Sequence, residues 1–420
     1  MSAPMSTPQT ATPRARSGPT PLLLLLLAFV CTLEGYDTAC FGVTVPSLLA
    51  DHSLGLDTGT AGNIGSYTSM GGILGAALAA NGVRRYGSRR VLLWGIGLFT
   101  AGMLASSLAP GADVLAAART VVGVGLGIVM PTVTAYAAEL SPPDRRSRNV
   151  GLMMTGYAVG ALASAPLGAV LLPEQSWRWI YVAGTVPAVV LMCVAPRLFP
   201  STERAEAAVG GSSLRHLLQR GTLAVTLLFW GLSFFGLLLV LGVSTWLPTL
   251  MHESGYSLGS SLLQTTVMWA GAGVGMAAGG RVAAVIGIKP VVVIAFLSGA
   301  VGVVAISAGP PLWLLFVLMF LGGLGFIGSQ SLTNTFVVTR YPEHLRGPGL
   351  GWALAVGRIG AVVGPSLTGW TLDSGLGVRW CFYLLALAGV CGALLAACVP
   401  AVRAPGQARG GAEAVRAEPA

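Results

Sequence analysis

Twelve apolar runs divide the chain, near residues 22–48, 62–82, 91–109, 114–138, 149–172, 179–199, 222–250, 261–285, 290–309, 312–339, 348–371 and 380–400. A membrane-spanning helix needs about 17 to 25 predominantly apolar residues, and in a bilayer every backbone polar group must be satisfied inside its own segment. The pattern therefore predicts a polytopic helical membrane protein. Composition agrees: 9% of residues are charged, 54% are hydrophobic and mean hydropathy is +0.76. A soluble chain carries about 25% charged residues. Arg14 and Arg16 precede "PLLLLLLAFV" in the manner of a secretion signal, but the run continues to Leu49 with no small-residue cleavage motif, so it reads as a retained span. Residues 1–20 and 402–420, polar and low in large apolar side chains, are expected to be disordered tails.

The net charge of +9 sorts by loop. Arg84, Arg85, Arg89 and Arg90, then Arg145, Arg146 and Arg148, then the arginines from Arg197 to Arg220, then Arg281 and Lys289, then Arg340 and Arg346 fall in alternate loops. The intervening loops hold Asp51, Asp57, Asp113, Glu174, Glu253 and Asp373. By the positive-inside rule both termini are expected in the cytoplasm, which requires an even number of spans. The basic excess orients the chain and calls for no nucleic-acid partner.

The chain also resembles itself at an offset of about 200 residues. "SWRWIY" (176–181) matches "VRWCFY" (378–383), "SPPDRR" (141–146) matches "YPEHLR" (341–346), Gly87 matches Gly287, and "GVGLG" (123–127) matches "GGLGFIG" (322–328). Matches falling on the same membrane side describe a parallel repeat. The expected fold is an all-α membrane protein of twelve transmembrane helices in two pseudo-symmetric six-helix bundles, 21–200 and 221–401, joined by a hydrophilic cytoplasmic linker, 201–220.

No catalytic pattern stands out. The one lysine, Lys289, precedes Pro290 and so cannot complete a phosphate-binding loop. The six cysteines lie in apolar runs without metal-ligand spacing and read as packing residues. No enzyme activity, cofactor or metal is expected.

Four ionisable residues fall deep inside runs: Glu34, Asp37, Arg119 and Arg358. Each costs about 2.5 to 3.5 kcal/mol at a helix centre on insertion scales, which argues that they serve a purpose. At about 1.5 Å per residue, Glu34 lies about 18 Å and Asp37 about 22 Å from the cytoplasmic end of the first run, while Arg119 lies about 7 Å below the outer end of the fourth. Asp37 and Arg119 thus come to nearly the same depth, and an ion pair between them is plausible. Protonating the carboxylate would free the guanidinium for a substrate anion, coupling proton to anion. The alternative is that these charges only lock helices together. Arg358, about 14 Å into the eleventh run, suits a second anion clamp, a gate or packing. Tyr36, Phe41, Tyr157, Trp246, Trp269, Phe326 and Trp352 offer ring faces, of which Tyr36, Tyr157 and Trp352 are taken as substrate contacts. Glu139 and Arg340, closing the fourth and tenth runs, read as gating or loop-anchoring residues.

"RRYGSRR" (84–90) resembles the D-R-x-G-R-R loop of the major facilitator superfamily, with Arg84 in place of the acid; the resemblance makes Arg85, Gly87 and Arg89 gating-loop residues. Within that superfamily "EGYDTACFGVTVPSLLAD", "RTVVGVGLGIVMPTVTAYAAELSP", "STWLPTLMHESGYSL" and "GSQSLTNTFVVTRYPEHLRGPGLGWALAVGRIGAVVGP" are similar to the aromatic acid:proton symporters over about residues 25–395. The resemblance implies proton handling at Glu34 and Asp37, with Glu34 replacing the usual Asp, and substrate contacts at Arg119 and Arg358. It implies a monomeric carrier of the bacterial inner membrane that imports a hydroxybenzoate-like carboxylate with a proton. A drug/proton antiporter and a ligand sensor without flux are the rival readings.

Overall fold

The computed structural model describes residues 20–142, 144–200, 213–219 and 221–400. Apart from Thr20 and residues 213–219, the expected tails and linker lie outside the described residues. The first six long helices are α1 (Pro21–Ala50), α2 (Thr58–Tyr86), α3 (Ser88–Ser107), α4 (Ala112–Leu140), α5 (Arg146–Leu171) and α6 (Arg178–Leu198). A short helix α7 (Ser213–Leu217) falls inside the expected linker, followed by α8 (Leu223–Glu253), α9 (Leu258–Ile286) and α10 (Ile288–Ser307). Then come α11 (Leu312–Gly322), a π-turn (Gly323–Ile327), α12 (Gly328–Arg340), α13 (Glu343–Asp373) and α14 (Val378–Cys398).

Local chemistry sets the ends. Thr20 caps α1, its Oγ1 accepting from Leu23 N at 3.3 Å, and Pro21 occupies the first turn, where its missing N–H costs nothing. Among the described residues eleven helices, counting α11 to α12 as one, are long and apolar enough to cross a bilayer. The remaining long helix, α2, spans 29 residues but is poorer in large apolar side chains because its Gly, Ala and Ser positions pack on α4 and α13. The tenth run, expected as one helix, is interrupted by the π-turn. There Gly323 and Gly325 press on neighbouring backbones: a Cβ on Gly323 would fall 1.8 Å from Met268 O, and one on Gly325 would fall 2.5 Å from Ala295 O.

The repeat is visible in detail. Asp57 and Ser257 cap α2 and α9, accepting from Thr60 N at 2.6 Å and Ser260 N at 3.3 Å. Gly87 (φ 83°, ψ 156°) and Gly287 (φ 91°, ψ 151°) join α2 to α3 and α9 to α10 through the same left-handed conformation, which essentially only glycine adopts. Arg89 and Lys289 each donate to the carbonyl end of their bundle's last helix, at Pro196 O (2.5 Å) and Val399 O (2.8 Å). Helix pairings repeat as well: α1–α5, α2–α4 and α3–α6 correspond to α8–α13, α9–α11 and α10–α14.

The bundles meet along α1–α8, α2–α13 and α5–α9. At the first contact a Cβ on Gly42 would fall 2.0 Å from Ser244 O, so the backbones touch. The second seam carries hydrogen bonds from Ser66 Oγ to Val362 O (2.5 Å) and from Ser366 Oγ to Asn63 Oδ1 (2.9 Å), with the two hydroxyls 2.7 Å apart. Among the described residues no hydrogen bond joins α5 to α9. The seal between bundles therefore lies from mid-depth towards the ends remote from the termini.

Candidate functional site

Helix α1 brings both acids to the centre of the N-terminal bundle because it packs on α5 backbone to backbone. A Cβ on Gly35, between the acids, would fall 1.9 Å from Tyr157 O. The acid face is thereby fixed against α4 and α6.

Asp37 and Arg119 form a bidentate pair, Nη1–Oδ1 2.5 Å and Nη2–Oδ2 3.1 Å, with relative exposures of 0% and 2%. The guanidinium carbon lies 5.3 Å from the Phe41 ring and 5.9 Å from the Tyr181 ring. Tyr181 Oη and Thr44 Oγ1 are 3.0 Å apart, which holds that second ring in place. Two aromatic faces and one carboxylate thus surround a cation that is almost fully buried, and Arg119 Nε is left without a hydrogen-bond partner. A pair this dry is coupled to anything that changes its charge, since loss of one charge leaves the other uncompensated.

The sequence reading paired Asp37 with Arg119 by depth, and the structure brings the two together inside the N-terminal bundle. Glu34 is the acid without a counterpart. It is buried, its Oε2 lacks a hydrogen-bond partner, and it borders a void of about 10 Å³ lined by Val30, Ile96, Phe99, Leu126 and Val129. Glu34 also lies within electrostatic reach of Arg358 from the other bundle, though not at ion-pair distance. Among the described residues the Arg358 side chain makes no hydrogen bond or ion pair within its own half, and its Nη1 donates to Gly72 O on α2 at 2.7 Å. Arg358 is therefore the mid-depth link of the α2–α13 seam, and Glu34 on α1 lies within its electrostatic reach.

The aromatic candidates separate. Tyr157, half-buried, faces Thr38 and lies within electrostatic reach of Glu34 and Asp37, which leaves it beside the acids. Tyr36 does not present its ring to the gap: its hydroxyl donates to Ile180 O at 2.8 Å and ties α1 to α6. Phe41 supports Arg119 from inside the bundle. Trp246, Trp269 and Phe326 are buried packing residues, and Trp246 Nε1 donates to Pro365 O at 2.8 Å. Trp352 is 38% exposed and stacks at a tilt against Trp230, ring centroids 6.1 Å apart. Tyr181, which sequence reasoning passed over, completes the arginine's cage; only its recurrence in "SWRWIY" hinted at it.

The loop residues anchor rather than bridge. Glu139 Oε1 accepts from Ser88 Oγ at 2.7 Å, tying the end of α4 to the start of α3, and Arg340 Nε donates to Pro400 O at 3.1 Å. Arg85 is exposed and its guanidinium lies 5.3 Å from the Tyr86 ring centroid.

The family model described as Major Facilitator Superfamily matches residues 27–285 and 259–418. The chain belongs to the major facilitator superfamily. It is thus a multi-pass membrane protein of a transporter family. Its relatives include the gentisate transporter of Corynebacterium glutamicum, 32% identical over 87% of this chain and 84% of the relative. Others are the gallate transporter of Pseudomonas putida, 30% identical over 95% and 93%, and the benzoate transport protein of Acinetobacter baylyi, 28% identical over 88% and 87%. Among solved structures, a D-xylose-proton symporter superposes with a TM-score of 0.75 at 20% identity, covering 89% of this chain and 96% of that one. The inward-open xylose transporter of E. coli gives a TM-score of 0.74 at 18% identity, covering 94% and 99%. At those identities the likeness establishes the superfamily fold.

Proposed function

We propose that this major facilitator protein imports a small aromatic carboxylate together with a proton, acting as a monomer in the bacterial inner membrane with both termini cytoplasmic. The observation that carries the reading is the buried Asp37–Arg119 pair beside Glu34, a buried acid with one oxygen lacking a hydrogen-bond partner and lying within electrostatic reach of Arg358. Aromatic acid transport by relatives that align over most of the chain supports the substrate class.

The residues divide the work as follows. A substrate carboxylate entering the gap beside α1 competes with Gly72 O for Arg358, because a guanidinium binds a carboxylate bidentately and a carbonyl through one bond. Winning that competition removes the mid-depth link of the α2–α13 seam, so binding and opening are one event. A proton on Glu34 neutralises the acid that would otherwise repel the entering anion. A proton on Asp37 loosens the bidentate pair and lets α1 and α4 shift relative to each other. Tyr157, beside both acids, supplies the ring surface nearest the charged groups.

The test is uptake of labelled gentisate, protocatechuate and 4-hydroxybenzoate into proteoliposomes under an inward proton gradient, with and without a protonophore. Accumulation of at least one acid that collapses with the protonophore is the expected result. Uptake indifferent to the gradient would overturn symport, and no uptake of any acid would overturn the substrate class.

A further inference from the structure

Beside α3, on the outer face of the N-terminal bundle, the structure holds a second recess, a groove of about 680 Å³. Its walls are Leu78 from α2, Trp94 and Leu98 from α3, Ile128 from α4 and Met192 from α6, and Arg85 and Tyr86 stand at its mouth. Two features distinguish it from an ordinary lipid-facing surface. The first is depth: the volume is that of a ligand pocket, about 300–1,000 Å³, and Gly97 keeps its α3 wall low, since a Cβ there would already sit 3.5 Å from Met192 Cε. The second is charge. Arg85 lines the groove, its neighbour Arg84 donates to Asn81 Oδ1 and Arg89 to Pro196 O, Arg90 follows in the first turn of α3, and among the described residues none of the four lies within ion-pair distance of an acid.

The ring pair at the mouth fits the same occupant. Tyr86 and Trp94 pack edge to face with centroids 4.9 Å apart, amphipathic rings at the level where acyl chains give way to headgroups. The repeat supplies an internal comparison. Residues 281, 285, 286 and 294 of the C-terminal bundle correspond to Asn81, Arg85, Tyr86 and Trp94, and they read Arg281, Val285, Ile286 and Ile294. The aromatic pair and the mouth arginine are absent from that copy, so the shared fold does not require them.

We propose that this groove binds an anionic glycerophospholipid, one acyl chain lying along Trp94, Leu98 and Met192 and the phosphate facing Arg85 with Arg84 and Arg90. Apolar burial and phosphate–guanidinium contact act together, and neither alone selects one lipid from the bilayer. Because Arg84 and Arg85 belong to the loop joining α2 to α3, a bound lipid would tether that loop to the membrane surface.

The test uses the full chain in nanodiscs, with the Trp94 emission isolated as the difference between wild type and Trp94→Phe. Brominated phosphatidylglycerol should quench that component at about fivefold lower mole fraction than brominated phosphatidylcholine, the preference expected from one arginine at an anionic surface. Equal quenching by the two lipids would overturn the proposal, as would relief of the quenching by millimolar inorganic phosphate. Arg85→Gln should erase the preference, and its persistence would also overturn the site. Should Arg85→Gln fail to fold, Gly97→Leu, which fills the groove without removing charge, provides the second variant. Native mass spectrometry should find phosphatidylglycerol retained on wild type and lost from Gly97→Leu, and unchanged retention on the variant would sink the assignment. Transport of aromatic acids enters none of these readouts.

Discussion

The two bundles share one backbone plan and differ in where they hold charge. Pro46 of α1 corresponds to Pro248 of α8, an offset of 202 that sets Asp37 against Leu239 and Glu34 against Gly236. Helices α4 and α11–α12 run in step at an offset of 200, setting Arg119 against Met319. Leu239 and Met319 are as buried as the ion pair they replace, at 0% and 2% exposure. The C-terminal bundle therefore makes the same packing without charge. That is the strongest argument that the Asp37–Arg119 pair is not there for folding, since buried pairs are often neutral or unfavourable relative to well-packed apolar residues.

Glu34 and Gly236 repeat the lesson with neutral chemistry. In the N-terminal bundle an acid reaches from the first helix beside a small void. In the C-terminal bundle Gln330 of α12 reaches the other way, and a Cβ on Gly236 would fall 2.3 Å from its Oε1. At this position one half holds a carboxyl and the other an amide that cannot titrate. In the proposed mechanism proton coupling belongs to the carboxyls of the N-terminal bundle.

The comparison breaks most visibly at Arg119. Arg119→Met leaves Asp37 buried and unpaired and should cost about 3–5 kcal/mol, seen as loss of monodisperse protein and a lowered unfolding temperature. The double variant Asp37→Leu with Arg119→Met copies the C-terminal bundle and should regain that stability while gradient-driven uptake stays absent. A double variant as unstable as the single one would return the pair to a structural role. Asp37→Asn, nearly isosteric, should abolish gradient-driven accumulation and leave membrane insertion intact; normal uphill uptake would remove Asp37 from the coupling machinery.

Smaller effects sharpen the picture. Arg119→Lys keeps the charge and loses the two-pronged geometry, and uptake should fall about tenfold, as expected for losing a charge-assisted bond worth about 1.5 kcal/mol. Gly87→Ala and Gly287→Ala should each cost about 1–3 kcal/mol, because both positions carry the same positive φ. A difference above about 1 kcal/mol between them would mean that the α2–α3 loop bears a load its copy does not.

The smallest expected effect concerns pH at the C-terminal end of α1. Hydrogen bonds from Ser53 and from Trp177, followed by the charge of Arg178, hold the Asp51 carboxyl below its ordinary 3.8. A depressed carboxylate contributes stability that is fully present above its unfolded-state value and lost as pH falls through the folded-state value. Asp51→Asn should therefore narrow the stability gap between neutral and acid pH only below about pH 4, measurable as a shallower fall in unfolding temperature.

Much of the site was legible as four expensive charges. Asp37 and Arg119 could be paired by counting rise from opposite membrane faces, because helix geometry makes depth a function of residue number. Rotation about the helix axis was less accessible. The same counting could not show that Tyr36 turns to Ile180 on α6, that Arg119 lies inside a bundle rather than on the cavity wall, or that Arg358 reaches across to Gly72. Each of these depends on which neighbour a helix face meets, and that is set by close glycine crossings such as Gly35 on Tyr157 and Gly42 on Ser244. The π-turn in the tenth run escaped for the same reason. In the sequence its glycines serve only as a repeat match to "GVGLG", whereas in the fold α9 and α10 press on them from both sides.

The sequence by itself determined that this is a membrane-spanning repeat. Apolar length and loop charge answer to the bilayer, an environment the same for every helix, and the 200-residue offset needs only comparison of the chain with itself. The tertiary structure alone decided which charges are satisfied. Asp37 finds its partner within the bundle, Arg358 finds a carbonyl across the interface, and Glu34 keeps a carboxylate oxygen without a hydrogen bond. A buried charge takes its meaning from atoms within a few ångströms, and long-range packing supplies those atoms from segments tens to hundreds of residues away.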